Sequence, residues 1–128
     1  MSSSYRDLRV WQQPMDLAMQ VYRLTETFPK HELYGLTGQI RRAAISIPSN
    51  IAEGKGRRTD RDFSSFLFRA RGSLLELETQ VLLARRLEYL QEQDAGALLK
   101  NTAAVGSALT GLINNSLRES AEAAAAGD

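Results

Sequence analysis

The sequence predicts an all-α protein, an antiparallel up-down four-helix bundle. Three observations carry that expectation. Apolar residues recur every three or four positions in four successive segments, no stretch of any length alternates with a period of two, and the segments are joined by short connections. At 128 residues the chain is long enough for one domain with a real core and too short for two. The expected domain occupies residues 1–120, with residues 121–128 as a flexible tail.

The first helix is expected over about residues 11–28. Trp11, Met15, Ala18, Tyr22 and Thr25 fall at 4-3-4-3 spacing, and Leu17, Val21, Leu24 and Phe28 widen the same apolar side. Pro14 sits in the first turn, where a missing N–H costs little, and Pro29 stops the helix. The second helix opens near His31 and Glu32 and runs to Gly54, read as its terminator. Its stripe is Leu33, Leu36, Ile40, Ala43, Ala44, Ile47 and Ile51. Because that period continues through Pro48, the proline bends one helix and does not divide two, freeing the carbonyl of Ala44. Gly35 and Gly38 each cost about 1 kcal/mol against Ala in a helix interior, and so mark a frayed start or a close backbone approach.

Thr59 is the expected N-cap of the third and longest helix, with Asp60 and Asp62 well placed in its first turn. The helix should run from residue 60 to about residue 90. Phe63, Phe66, Leu67, Ala70, Leu74, Leu77, Val81 and Ala84 form the main stripe. Phe68, Leu75, Leu82 and Tyr89 form a second line repeating every seven residues, about 120° around the helix. A single bundle core uses one stripe, so this line is the expected interface of a homo-oligomer. Asp94 is the expected cap of the fourth helix, which runs to about residue 118 on Leu98, Thr102, Val105, Leu109, Leu112, Ile113 and Leu117. The segment 119–128 lacks large apolar residues.

Composition narrows the chemistry. Without cysteine there is no disulfide, thiolate nucleophile or cysteine metal cage. The single histidine, His31, lies in a turn with no carboxylate pair beside it, which suits a surface or capping position. Glu76 and Glu78 do not make a di-iron signature, which needs Glu-x-x-His motifs. The serines have no base at suggestive spacing. No catalytic residue, metal site or cofactor is therefore expected, and the protein is read as no enzyme. The start has no apolar signal segment, and no apolar run approaches the roughly 20 residues that span a bilayer. A cytoplasmic protein without a membrane partner is expected.

Charge is distributed unevenly although the net value is only +1. Residues 41–71 carry a net +5 and residues 72–128 a net −4. The basic residues of the first segment are Arg41, Arg42, Lys55, Arg57, Arg58, Arg61, Arg69 and Arg71. They are candidate contacts for RNA or DNA, or they complement acidic surfaces of other helices or subunits. The loop Glu53-Gly54-Lys55-Gly56-Arg57-Arg58 departs from the GxxxxGK[ST] pattern and follows a helix where a P-loop follows a strand. Its N–H groups, the positive end of the third helix and Lys55, Arg57, Arg58 and Arg61 can together hold phosphate; the alternative is a solvated turn. No aromatic residue lies within 53–62, so stacking on single-stranded bases has no support from that loop. Gln39, Arg42, Ser46, Ser49, Asn50 and Glu53 line the second helix beside its stripe. They are read as a structural network, with Arg42 on a carboxylate and Asn50 on backbone loosened by Pro48.

The run YGLTGQIRRAAISIPSNIAEGKGRR, followed by DFSSFLFRARGSLLELETQ, resembles the four-helix-bundle proteins called S23 ribosomal proteins or 23S rRNA intervening-sequence proteins. DLRVWQQPMDLA and the Phe28-Pro29 pair match the family's opening, and the similarity covers about residues 7–117. The resemblance implies a ring-like homo-oligomer, a pentamer, without enzymatic activity. The family is in turn similar to the accessory proteins of diversity-generating retroelements, which are basic, pentameric and bind nucleic acid and a reverse transcriptase. This chain departs from them in its near-neutral charge. Two functions therefore stand as expectations: an oligomeric scaffold that meets itself or another protein, and an accessory protein that binds RNA or DNA.

Overall fold

The computed structural model describes residues 4–127. Four α-helices follow one another: α1 (Arg9–Thr25), α2 (Leu36–Lys55), α3 (Asp60–Arg86) and α4 (Glu92–Ala126). Single 3-10 turns precede α1 (Tyr5–Asp7) and α2 (Lys30–Glu32), and the described residues include no strand. Each helix packs on its neighbours in the chain, and α1 closes the square against α4 with no diagonal contacts. This is the expected four-helix bundle. Among the described residues no helix is long and apolar enough to cross a membrane.

The core is aliphatic. Leu17, Ile40, Ile47, Ile51, Leu67, Leu77, Leu98 and Leu109 are fully buried along its axis. The predicted stripes of α2, α3 and α4 point inward, with the exceptions of Leu33 and Leu117, which are exposed. The stripe of α1 is corrected: Pro14, Leu17, Ala18, Val21 and Thr25 are buried, whereas Met15 and Tyr22 turn outward. The two readings of α1 differ by a rotation of one position, and the wide apolar face allows either.

Helix ends differ from the expected ones for local reasons. Helix α1 stops at Thr25, whose hydroxyl donates to the carbonyl of Val21 at 2.7 Å, four residues before Pro29. Helix α2 begins at Leu36, where Glu32 Oε1 accepts from the Leu36 amide at 3.2 Å and serves as its cap. Gly38 is the close approach anticipated there: a Cβ on it would lie 2.9 Å from the carbonyl oxygen of Leu33. Gly54 is not a terminator. It is buried inside α2, and a Cβ on it would fall 2.7 Å from the Cβ of Phe66 and 3.0 Å from Cδ1 of Phe63. Glycine here lets α2 and α3 touch.

Helix α3 ends at Arg86, not at residue 90, because Glu88 takes a left-handed conformation (φ 64°) and the Tyr89 amide reaches back to the carbonyl of Ala84 at 2.9 Å. A left-handed non-glycine residue costs about 1–2 kcal/mol. Helix α4 starts behind Gln91, with Asp94 in its first turn, and overruns its expected end at Arg118 by eight residues. Five of those eight are alanine, the strongest helix former, and residues 121–126 are exposed, so backbone propensity accounts for the extension.

Polar groups bind the helices at three levels. Ser46 and Ser73 share a hydrogen bond of 2.7 Å between α2 and α3, and Asn50 Nδ2 donates to the Ser46 carbonyl at 2.8 Å and to its hydroxyl at 3.0 Å. The carbonyl served by Asn50 is thus two residues beyond that of Ala44, the one deprived by Pro48. The Ser64 and Ser116 hydroxyls meet at 2.8 Å between α3 and α4, and both lie within hydrogen-bond reach of the Asp60 carbonyl, at 2.8 and 3.0 Å. One donates to that carbonyl and the other to its fellow serine or to the same carbonyl. Thr102 donates to Glu78 Oε2 at 2.9 Å.

Candidate functional site

The eight basic residues singled out in the sequence do not form one patch. Lys55, Arg57, Arg58, Arg61 and Arg69 gather where α2 turns into α3. Arg41 and Arg42 lie 14 and 13 residues before Lys55 on the same helix, about 20 Å along its axis. Arg71 is exposed on α3 between Phe68 and Leu75.

Aromatic rings absent from the loop come to it from α3. The Arg57 and Arg69 guanidiniums both lie over Phe66, at 4.7 and 4.6 Å from the ring centroid, and Lys55 Nζ is 5.8 Å from the centroid of Phe63. Arg57 also pairs with Glu53 at 3.2 Å. These contacts hold three of the five cations in place by cation–π attraction. Arg58 and Arg61 are exposed and make no ion pair among the described residues. The positive end of α3 is already satisfied: Thr59 Oγ1 accepts from the Asp62 amide at 3.1 Å, and Asp60 and Asp62 occupy the first turn. The helix end therefore adds little to phosphate attraction, and the cations carry what there is.

Arg41 is an internal strut. Its Nε donates to Thr25 Oγ1 at 2.8 Å, one Nη donates to the Tyr22 carbonyl at 3.3 Å, and its guanidinium sits 4.6 Å from the Tyr22 ring centroid. Arg42 is exposed on the α2–α3 face, sharing a shallow cleft with Gln39, Ser46 and Glu76. The carboxylate partner expected for Arg42 is missing among the described residues, so that network contains Ser46, Asn50 and Ser73 but not Arg42. Among the described residues no three carboxylates or imidazoles converge in a metal-binding group.

The second apolar line of α3 is exposed at Phe68, Leu75 and Leu82, with Leu75 the most open at 56%. It falls on the side of α3 that carries Ser64 and Glu78, which bond to α4, and away from Phe66 and Ser73, which meet α2. Tyr89 has left this line. It packs on Phe28 at 5.4 Å between centroids and donates to Glu32 Oε2 at 2.9 Å. The Leu36 amide foremost, and then the Tyr89 hydroxyl, hold the Glu32 carboxyl below its ordinary value, while donation to Glu32 raises the Tyr89 phenol above 10.0.

A second apolar surface was not read from the sequence. Between α1 and α2 an outer groove of about 560 Å³ opens between Trp11, Met15, Met19 and Tyr22 on one side and Ile45, Pro48 and Ala52 on the other. Met19 is 56% exposed, and Tyr5 packs edge-on against Trp11 at 5.3 Å to close one end. The available signal was Met19 and Ile45, large apolar residues lying off both stripes. Since α1 and α2 make one side of the square and α3 and α4 the other, the groove and the Phe68–Leu75–Leu82 ridge lie on opposite faces.

Comparison with known proteins follows this architecture. The model of the family described as "23S rRNA-intervening sequence protein" matches residues 6–111. A crystal structure at 1.70 Å of a protein of unknown function from the S23 ribosomal protein family, from Bacteroides thetaiotaomicron, is similar with a TM-score of 0.76. The two are 22% identical, over 81% of this chain and 97% of that one, a likeness of fold. No curated protein matches.

Proposed function

This chain belongs to the 23S rRNA-intervening sequence protein family, and from that premise we propose that it works without catalysis, as a homo-oligomeric scaffold or interaction protein in the cytoplasm. The observation that carries the reading is the pair of opposed apolar surfaces, a ridge on α3 and a groove between α1 and α2. Exposed apolar patches of this kind mark interaction sites on soluble proteins. A convex line on one face and a concave one on the opposite face favour a head-to-tail contact between copies over a face-to-itself contact. Such a contact closes into a ring when the rotation between copies permits. Five copies is the number the family resemblance implies. Light scattering of the purified chain should give a single discrete oligomer, and Leu75→Glu should dissociate it with helicity retained. A stable monomer at micromolar concentration overturns the reading.

The second reading, an accessory role on RNA or DNA, is favoured by the five cations gathered at the α2–α3 junction. A ring of copies would bring several such clusters to one side.

A further inference from the structure

At the other end of α2 from the basic loop, the close of α1 and the start of α2 border a cleft of about 560 Å³. Ligand clefts commonly occupy roughly 300–1,000 Å³. Two features of its wall lack partners. Thr37 is only 4% exposed, yet its hydroxyl has no hydrogen-bond partner. Buried hydroxyls are nearly always satisfied, by protein, water or ligand. Arg41, one turn further on the same face of α2, has five N–H donors and spends two, Nε on Thr25 and one Nη hydrogen on the Tyr22 carbonyl. Three donors remain on the outer Nη edge. No carboxylate pairs with Arg41 among the described residues, and the half-buried guanidinium is left without a counter-charge.

The local backbone has the same sign. Gly35, the N-cap of α2, has no side chain to offer, and Glu32 takes only the Leu36 amide. The amides of Thr37 and Gly38 find no acceptor among the described residues, so the positive end of a 20-residue helix lies beside Arg41. The remaining wall is apolar, built by Phe28, Pro29 and Leu33, while Lys30 and Glu26 bring opposite charges to the cleft.

We infer that this cleft is a binding site for a small organic carboxylate with a branched or compact hydrocarbon body. The outer Nη edge of Arg41 forks onto the carboxylate, the Thr37 hydroxyl, which has under 1 Å² of open surface, turns about χ1 toward the cleft to donate a third hydrogen bond, and the hydrocarbon covers Phe28, Pro29 and Leu33. A planar monoanion fits the single guanidinium fork, and the rest of the cleft adds no net charge for a dianion such as phosphate because Lys30 and Glu26 offset each other. The site shares no lining residue with the groove, although Arg41 rests on Tyr22 of the groove wall, and it is complete within one chain.

The test is a titration of the isotope-labelled full chain with 4-methylpentanoate, followed by the backbone amides and the Arg41 Nε resonance. Saturable shifts confined to Thr25 and residues 28–41 are expected, with none from 4-methylpentanamide and weaker ones from sulfate. Thr37→Val, which keeps the shape of the side chain, should weaken binding about tenfold with the fold intact, since a hydrogen bond to a charged group is lost. Arg41→Gln should abolish binding. Absence of saturation through the millimolar range, equal binding of the amide or of sulfate, or unchanged affinity in Thr37→Val overturns the inference.

Discussion

Gly54 shows how much one missing methyl group decides. An alanine there meets the Cβ of Phe66, which is fixed to the α3 backbone and cannot swing aside. Gly54→Ala should therefore push α2 from α3 and cost about 1–3 kcal/mol of stability, measured by urea unfolding. The sequence marked this glycine as an end because glycine is common there, and nothing local reveals that another helix passes within contact. Glu32 and Tyr89 make a longer-range pair, joining residues 57 apart in the chain. The lowered Glu32 value means that its contribution is complete above 4.5 and is lost as pH falls through the folded value; the raised Tyr89 value means loss as pH rises beyond 10.0. Tyr89→Phe should destabilise the protein at neutral pH, and the deficit relative to the parent should narrow under acid conditions. A deficit independent of pH would show that ring packing on Phe28 alone matters. Neither partner announces the other in sequence, since the seven-residue period had placed Tyr89 on the outer line.

At the scale of the element, the helices and their inward stripes were legible because hydrophobic period survives local irregularity. Pro48 illustrates it: buried within α2, it leaves the register of Ile47 and Ile51 undisturbed. Ends were less legible, since they depend on contacts made across the bundle. Glu32 caps α2 from a separate turn, and Glu88 ends α3 in a conformation that glutamate seldom adopts. The candidate nucleic-acid residues were legible as charges but not as a constellation. Arg41 is tied to Thr25 and Tyr22 through its Nε and one Nη, away from the junction, and Arg57 and Arg69 lean on Phe66. Arg58 and Arg61 are the uncommitted cations of the junction. If the junction meets RNA, Arg58→Ala with Arg61→Ala should reduce the slope of log affinity against log salt by about 1.5, measured on a single-stranded RNA. A slope unchanged by the pair removes the junction from consideration.

The whole molecule has two apolar faces, and their opposition gives a test that neither face gives alone. Leu75→Glu spoils the ridge and leaves the groove; Met19→Glu does the reverse. Each variant alone should be monomeric by light scattering, whereas an equal mixture should form a one-to-one dimer through the single intact ridge and groove. Variants that keep self-associating, or a mixture that stays monomeric, would exclude head-to-tail pairing. Only half of this arrangement was legible: the ridge shows as a second period on one helix, but a groove is shared by two helices and has no period of its own. The overrun of α4 bears on the same end of the bundle as the basic junction, because Ser116 sits against Ser64 and Asp60 at the start of α3. Past Ser120, the last half-buried residue, α4 stands clear for six further residues, about 9 Å of exposed rod carrying Glu122, with Glu119 exposed just before it. It acts as a mast beside the cations. A polyanion descending along the bundle axis strikes acid and alanine first, so the open line of approach to Arg58 and Arg61 is from the flank.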